Sequence, residues 1–173
     1  QLSQVFVVSE GMKNAFARTY GYPPNKIQTV YNPVLDENFL KKSSCRPTHP
    51  WLIKKDIPVI VAAGTFSPVK NHILLFDAFK KLRKQISCRL IVFGDGTLRP
   101  VYEKEIRKMH LSDDISLPGY TSQLPSEIKY ADCFVCSSIV ESFSIVIVEA
   151  LAVGCPVVST DAQLSLIHIS EPT

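Results

Sequence analysis

Along the chain, short apolar runs alternate with stretches whose apolar residues recur every three or four positions. Residues 4–9, QVFVVS, have the β-branched character of a strand. Residues 10–21, EGMKNAFARTYG, have the spacing of a helix, stopped by Gly21 and the prolines behind it. The segment KIQTVYNPV is extended again. Residues 35–57 break the rhythm: they are polar, hold Pro47 and Pro50, and read as a linker. Beyond them the alternation sharpens. PVIVAAG, CRLIVFG, ISLPG, DCFVCSS and CPVVST read as strands. KNHILLFDAFKKLRK reads as an amphipathic helix with Leu75, Phe76, Phe79 and Leu82 on one stripe and Lys80, Lys81, Arg83 and Lys84 away from it, a solvated face. RPVYEKEIRKMH and PSEIKYA are further helices. Strands alternating with helices at this spacing predict an α/β fold built on a doubly wound, parallel, Rossmann-like sheet.

In such sheets ligands sit outside the carboxyl ends of the strands. The turns expected there are GTFSPVKN, FGDGT, PGYTS and SSIVES, all polar and bearing glycine or serine. One rim is therefore the place to look for chemistry.

Composition narrows the classes. The 173 residues are 46% hydrophobic and 20% charged, which suits one globular domain with a real core. A net charge of +3 with both signs interspersed does not argue for nucleic acid. No window approaches the roughly 18 apolar residues of a membrane span. Five scattered cysteines point to a reducing compartment, hence a cytoplasmic location. Cys133 and Cys136 are three apart on a strand and face opposite ways, so they read as buried thiols rather than half of a metal site. Asp113 and Asp114 precede a strand on the opposite rim and read as turn residues, so no metal site is expected.

The segment ESFSIVIVEA places Glu141 and Glu149 eight positions apart across an almost wholly apolar run. A helix starting near Phe143 or Ser144, capped by Ser142 or Ser144, would bury Ile145 to Val148 against the sheet and return Glu149 to the rim two turns later. Its unpaired first amides and the positive end of its dipole would suit a diphosphate. The β-branched run alone says strand, so the helix requires tertiary context to prevail over propensity.

Taken in order, GTFSPVKN, RLIVFGDG, ISLPGYTSQLPSEIKYADCFVCSS and ESFSIVIVEALAVGCPVVSTD resemble the family 4 retaining glycosyltransferases of the two-domain GT-B fold, over roughly residues 4–162. The resemblance implies transfer of a hexosyl-type sugar from a nucleotide-sugar donor to an acceptor hydroxyl with retention, without cofactor or metal. A uridine diphosphate donor is the first expectation, and a glycan or lipid-linked acceptor in polysaccharide biosynthesis the second. It implies that Lys70 and Glu141 are catalytic, Lys70 neutralising the departing diphosphate and Glu141 lying near the donor sugar. It implies that Glu149 takes the ribose hydroxyls and that Gly64, Thr65, Tyr120, Ser142, Phe143 and Ser144 line the donor, Phe143 and Ser144 through backbone amides. The carboxylates would then hold two ends of one ligand.

The chain departs from the family pattern in two places. Thr65 stands where an arginine usually follows the strand's glycine, and Ser142 where the element usually reads Glu-Gly-Phe. The expected organisation is residues 1–34 as the end of an acceptor domain, 35–57 as linker and 58–163 as a donor-binding domain, C-terminally truncated. The acceptor side, and any peripheral attachment to the inner face of a membrane, would lie in parts not present. Residues 164–173, LSLIHISEPT, read in frame as a translated transposase adapter from sequencing libraries, so His168 and Glu171 receive no role. Gly94-Asp95-Gly96 after a strand raises two other readings, a nicotinamide-dependent oxidoreductase and a non-catalytic nucleotide-binding module. Against the former, the third glycine of the fingerprint is Arg99, and ISLPG carries no ribose-binding acid.

Overall fold

The computed structural model describes residues 4–162, so the adapter-like stretch 164–173 lies outside the described residues. At the amino end a small unit forms first. Strand β1 (Val5–Val7) leads into helix α1 (Glu10–Tyr20) and returns as β2 (Ile27–Thr29), parallel to β1 with Val5 opposite Ile27. Helix α1 starts where it does because the Ser9 hydroxyl accepts from the Met12 amide at 3.2 Å. It stops at Gly21, which takes the left-handed conformation at φ 60.

The larger unit is a five-stranded parallel sheet in the order β5-β4-β3-β6-β7. Its strands are β3 (Val59–Ala63), β4 (Arg89–Phe93), β5 (Ile115–Gly119), β6 (Cys133–Cys136) and β7 (Val157–Ser159). The chain walks outward from β3 through β4 to β5, then crosses back to lay β6 on the other side of β3. The reversal opens a crevice at the carboxyl ends of β3 and β6, as expected for a doubly wound sheet.

Alternation along β3 and β4 sorts the core into two layers. Val59, Val61, Ile91 and Phe93 face one side, with Phe134, Ile128 and Ile147. Ala62, Leu90 and Val92 face the other, with Phe66, Phe76, Phe79 and Tyr102. The second side is covered by α4 (His72–Arg83) and α5 (Arg99–Lys108). Of the predicted α4 stripe, Leu75, Phe76 and Phe79 are buried and Leu82 packs partly against them. The first side carries α6 (Leu124–Lys129) and α7 (Ile145–Ala152). Each fully buried Phe or Ile contributes about 1.5–3 kcal/mol. Among the described residues no helix is long and apolar enough to cross a membrane.

Residues 35–57, read as a linker, contain regular structure. They hold α2 (Glu37–Ser43) and α3 (Pro50–Ile53), both packed on the larger unit. Two of their polar residues cap these helices. Asp36 Oδ1 accepts from the Phe39 amide at 2.7 Å, and His49 Nδ1 from the Trp51 amide at 3.2 Å. Phe39 and Leu52 are buried. Glu127 of α6 is fully buried and accepts from the Thr48 amide at 2.8 Å and the Thr48 hydroxyl at 2.5 Å. Burial pushes the His49 imidazole below its usual range, partly offset by Glu127. The cysteines are all free. Cys136 is buried as expected, while Cys133 is only half-buried. Asp114 sits in a turn and pairs with Arg83 at 2.9 Å.

Candidate functional site

Among the described residues, the crevice shows three compartments along the carboxyl rim. At one end lies a charged corner. After β3 the chain makes a 3-10 turn (Pro68–Lys70), and after β6 it makes the loop that carries Glu141. The two are joined through the backbone: the Ile139 amide donates to Val69 O at 2.8 Å, and the Ser137 hydroxyl to Lys70 O at 2.8 Å. The Lys70 ammonium forms an ion pair with Glu141 Oε1. Ser138 Oγ donates to the same oxygen at 2.6 Å, and Cys136 Sγ lies 4.0 Å from it. Glu141 is 9% exposed. A carboxylate so buried needs these partners.

The middle compartment is a cleft of about 220 Å³ lined by Gly64, Thr65, Phe93, Gly94, Tyr120, Thr121, Leu124 and Val146. It adjoins the charged corner at Gly64, where a Cβ would lie 3.3 Å from Cδ and Cε of the Lys70 stem. The strand ends meet closely here. Gly94, at φ 136, leaves no room for a side chain: a Cβ would stand 2.0 Å from Gly64 O. The expected rim residues Gly64, Thr65 and Tyr120 therefore share one cleft.

Asp95 organises this cleft, and the sequence reading gave it no role there. Its carbonyl accepts from the Phe66 amide at 2.8 Å and the Tyr120 hydroxyl at 3.2 Å. Its carboxylate accepts from Gly96 N at 2.7 Å and Arg99 Nε at 2.8 Å. These donors hold the carboxyl below the usual carboxylate range, Arg99 contributing most. Arg99 also donates to Leu117 O at 3.1 Å and Gly94 O at 3.2 Å. A guanidinium thus occupies the space where a dinucleotide fingerprint would keep a third glycine. The i,i+4 spacing of Asp95 and Arg99 at a helix start was the available signal.

The third compartment is a cleft of about 280 Å³ around Glu149, sharing Thr121 and Leu124 with the middle one. Its far wall is the supposed linker: Asp36, Asn38, Phe39 and Lys42. Burial pushes the Glu149 carboxyl up, partly offset by Lys42. Glu141 and Glu149 thus open onto different compartments with the Gly64–Tyr120 cleft between them. Lys42 was also missed, because its segment was read as a linker.

Helix α7 starts at Ile145, slightly later than expected. Ser144 holds the N-cap position, but its hydroxyl makes no capping hydrogen bond; it lies 3.9 Å from Cys136 Sγ in the core. Ser142 is exposed and does not cap the helix. Among the described residues, the amides of Phe143 and Ser144 have no acceptor in the protein. The arrangement offers one cation, one shielded carboxylate and free amides at one end, a half-buried carboxylate at the other, and a glycine-floored cleft between. That is the chemistry of an elongated ligand with an anionic centre and a hydroxyl-bearing end.

Comparison with known proteins gives a consistent picture. The family model "Glycosyl transferases group 1" matches residues 48–169, and so takes in part of the adapter-like tail. An uncharacterized glycosyltransferase of Methanocaldococcus jannaschii is 29% identical over 143 residues, 82% of this chain and 32% of the relative. The Campylobacter jejuni N-acetylgalactosamine-N,N'-diacetylbacillosaminyl-diphospho-undecaprenol 4-alpha-N-acetylgalactosaminyltransferase is 27% identical over 157 residues, 88% of this chain and 40% of that one. Among solved structures, Anabaena HepE in complex with UDP and glucose superposes with a TM-score of 0.78 at 26% identity, covering 98% of this chain and 47% of HepE. A Rickettsia africae glycosyltransferase reaches 0.82 at 21% identity, a likeness of fold. The chain spans about a third to two-fifths of the length of these curated relatives.

Proposed function

Because the chain belongs to the group 1 glycosyl transferases, we propose that its crevice binds the nucleoside diphosphate of a sugar donor, uridine diphosphate first. In this reading the chain is the donor-binding part of a longer, two-domain enzyme. That enzyme transfers a hexosyl group to an acceptor hydroxyl with retention and without a metal, in glycan or polysaccharide assembly at the cytoplasmic side of a membrane. The observation that carries the proposal is the alignment of three compartments along one rim: Lys70 and Glu141 at one end, the Gly64–Tyr120 cleft in the middle, Glu149 at the other. HepE, bound to UDP and glucose over the same fold, supports the choice of base.

The roles follow from charge. The Lys70 ammonium neutralises charge that develops on the diphosphate as the sugar–phosphate bond breaks, which is electrostatic stabilisation of the transition state. The free amides of Phe143 and Ser144 add fixed dipoles at the same end. Glu141 faces the sugar. The two oxygens of Glu149 accept from vicinal ribose hydroxyls, and Tyr120 and Thr121 border the base.

The test is a binding panel of UDP, GDP, ADP and NAD, read by calorimetry on the wild type and Glu149→Ala. UDP is expected to bind preferentially. Glu149→Ala loses charge-assisted hydrogen bonds worth about 1.5–3 kcal/mol, a weakening of about 10- to 100-fold. NAD binding as tightly as UDP, or an unmoved Glu149→Ala, would overturn the reading.

A further inference from the structure

Lys70 meets the crevice already engaged. Its ammonium is paired with Glu141, and the two side chains are only 25% and 10% exposed. Both partners make further contacts. The Lys70 stem packs over Gly64, and both backbones are stitched together through Val69, Ile139 and Ser137. Glu141 is further held by Ser138 Oγ at 2.6 Å. Among the described residues, no side chain lining the adjoining cleft carries a positive charge, Thr65 included. A diphosphate entering that cleft finds its nearest cation half neutralised. It also brings its own negative charge close to a nearly buried carboxylate that cannot be left unpaired without a large penalty.

We propose that Glu141 competes with the diphosphate for Lys70 and thereby acts as a built-in restraint on nucleotide retention. The pair loosens the hold on the nucleoside diphosphate and hastens its departure once the sugar has been transferred. This rests on the reading of the crevice as a nucleotide site, and adds to the place of Glu141 beside the sugar a role toward the leaving group. The physical content is a sign: removing a carboxylate from the binding site tightens binding.

The experiment is a UDP titration by calorimetry, with dissociation followed by stopped flow, on the wild type, Glu141→Gln, Lys70→Met and the double variant. Glutamine keeps the shape and can still accept from Ser138 while removing the charge. Glu141→Gln is expected to bind UDP about ten-fold more tightly through slower dissociation. In the Lys70→Met background the same change is expected to tighten UDP by less than it does in the wild type, because only the direct repulsion between Glu141 and the diphosphate is then relieved. Ser138→Ala should act in the opposite sense. Deprived of its other strong donor, Glu141 leans harder on Lys70, and UDP weakens about two- to three-fold. This second variant decides the matter even if Glu141→Gln does not fold. Equal or weaker UDP binding by a folded Glu141→Gln, or tighter or unchanged binding by Ser138→Ala, overturns the restraint. That result leaves the nucleotide site intact if Lys70→Met still weakens UDP. Absence of saturable UDP binding by the wild type overturns the site itself, and the restraint with it.

Discussion

Gly94→Ala is the substitution whose consequence follows most directly from the geometry. The added carbon would stand 2.0 Å from Gly64 O and 2.9 Å from Gly64 C. Relaxed contacts lie near 3.5 Å, so the ends of β3 and β4 must part by more than about 1 Å. They must do so where Gly64 N donates to Phe93 O at 2.9 Å and Gly94 N donates to Gly119 O at 2.8 Å. Overpacking of this kind costs about 1–3 kcal/mol. The φ of 136 adds about 1–3 kcal/mol for any residue with a side chain. A total near 4 kcal/mol lowers the melting temperature of a chain this size by roughly 8–16 °C. Gly154→Ala is the control: its φ is 76 but nothing lies within 4 Å of its Cβ, so it carries the conformational cost alone. Scanning calorimetry of both variants separates the two contributions. Because the displaced Gly64 carries the Lys70 stem, Gly94→Ala should also weaken UDP beyond its effect on folding. A Gly94→Ala variant that melts no lower than Gly154→Ala would refute the close approach of the strand ends.

Two further outcomes test the frame around the site. Glu127→Ala removes the buried acceptor of the Thr48 amide and hydroxyl and should lose about 1.5–3 kcal/mol in urea unfolding. A loss under about 0.5 kcal/mol, typical of neutral surface changes, would mean that residues 48–53 are not tied to α6. His72 is held down to about 4 by burial first and by Lys70 second. The folded protein therefore takes up this proton later than the unfolded chain, and stability falls as pH drops from about 6.5 toward 4, by roughly 3 kcal/mol in all. His72→Phe, set among the rings of Phe66 and Tyr102, should flatten that limb of the pH–stability curve. An unchanged acid limb would show that His72 is not the group responsible.

The sheet was legible because β-branched runs and helical stripes alternate cleanly, and the order of rim turns followed from it. Gly64, Thr65 and Tyr120 were legible as a group for the same reason, since each follows a strand. What failed was the reading of polarity. Residues 35–57 read as a linker, yet Asp36, Thr48 and His49 spend their polar atoms on helix caps and on buried Glu127. That segment supplies Lys42 and Asp36 to the Glu149 cleft, which sequence spacing could not foresee. The Ser144 hydroxyl turns inward toward Cys136 instead of capping α7, because the loop is held at Glu141. The Lys70–Glu141 pair joins residues 71 positions apart and follows only once β6 is known to lie beside β3.

The central claim is that one nucleoside diphosphate lies along this rim, from Lys70 to Glu149. Titrating UDP into the isotopically labelled chain and following backbone amide resonances tests it most directly. The account predicts saturable shifts at Gly64, Thr65, Lys70, Tyr120, Thr121, Phe143, Ser144 and Glu149, with Asp113 and Asp114 on the opposite rim unmoved. Shifts confined to the opposite rim, or spread over the surface without saturation, would contradict it.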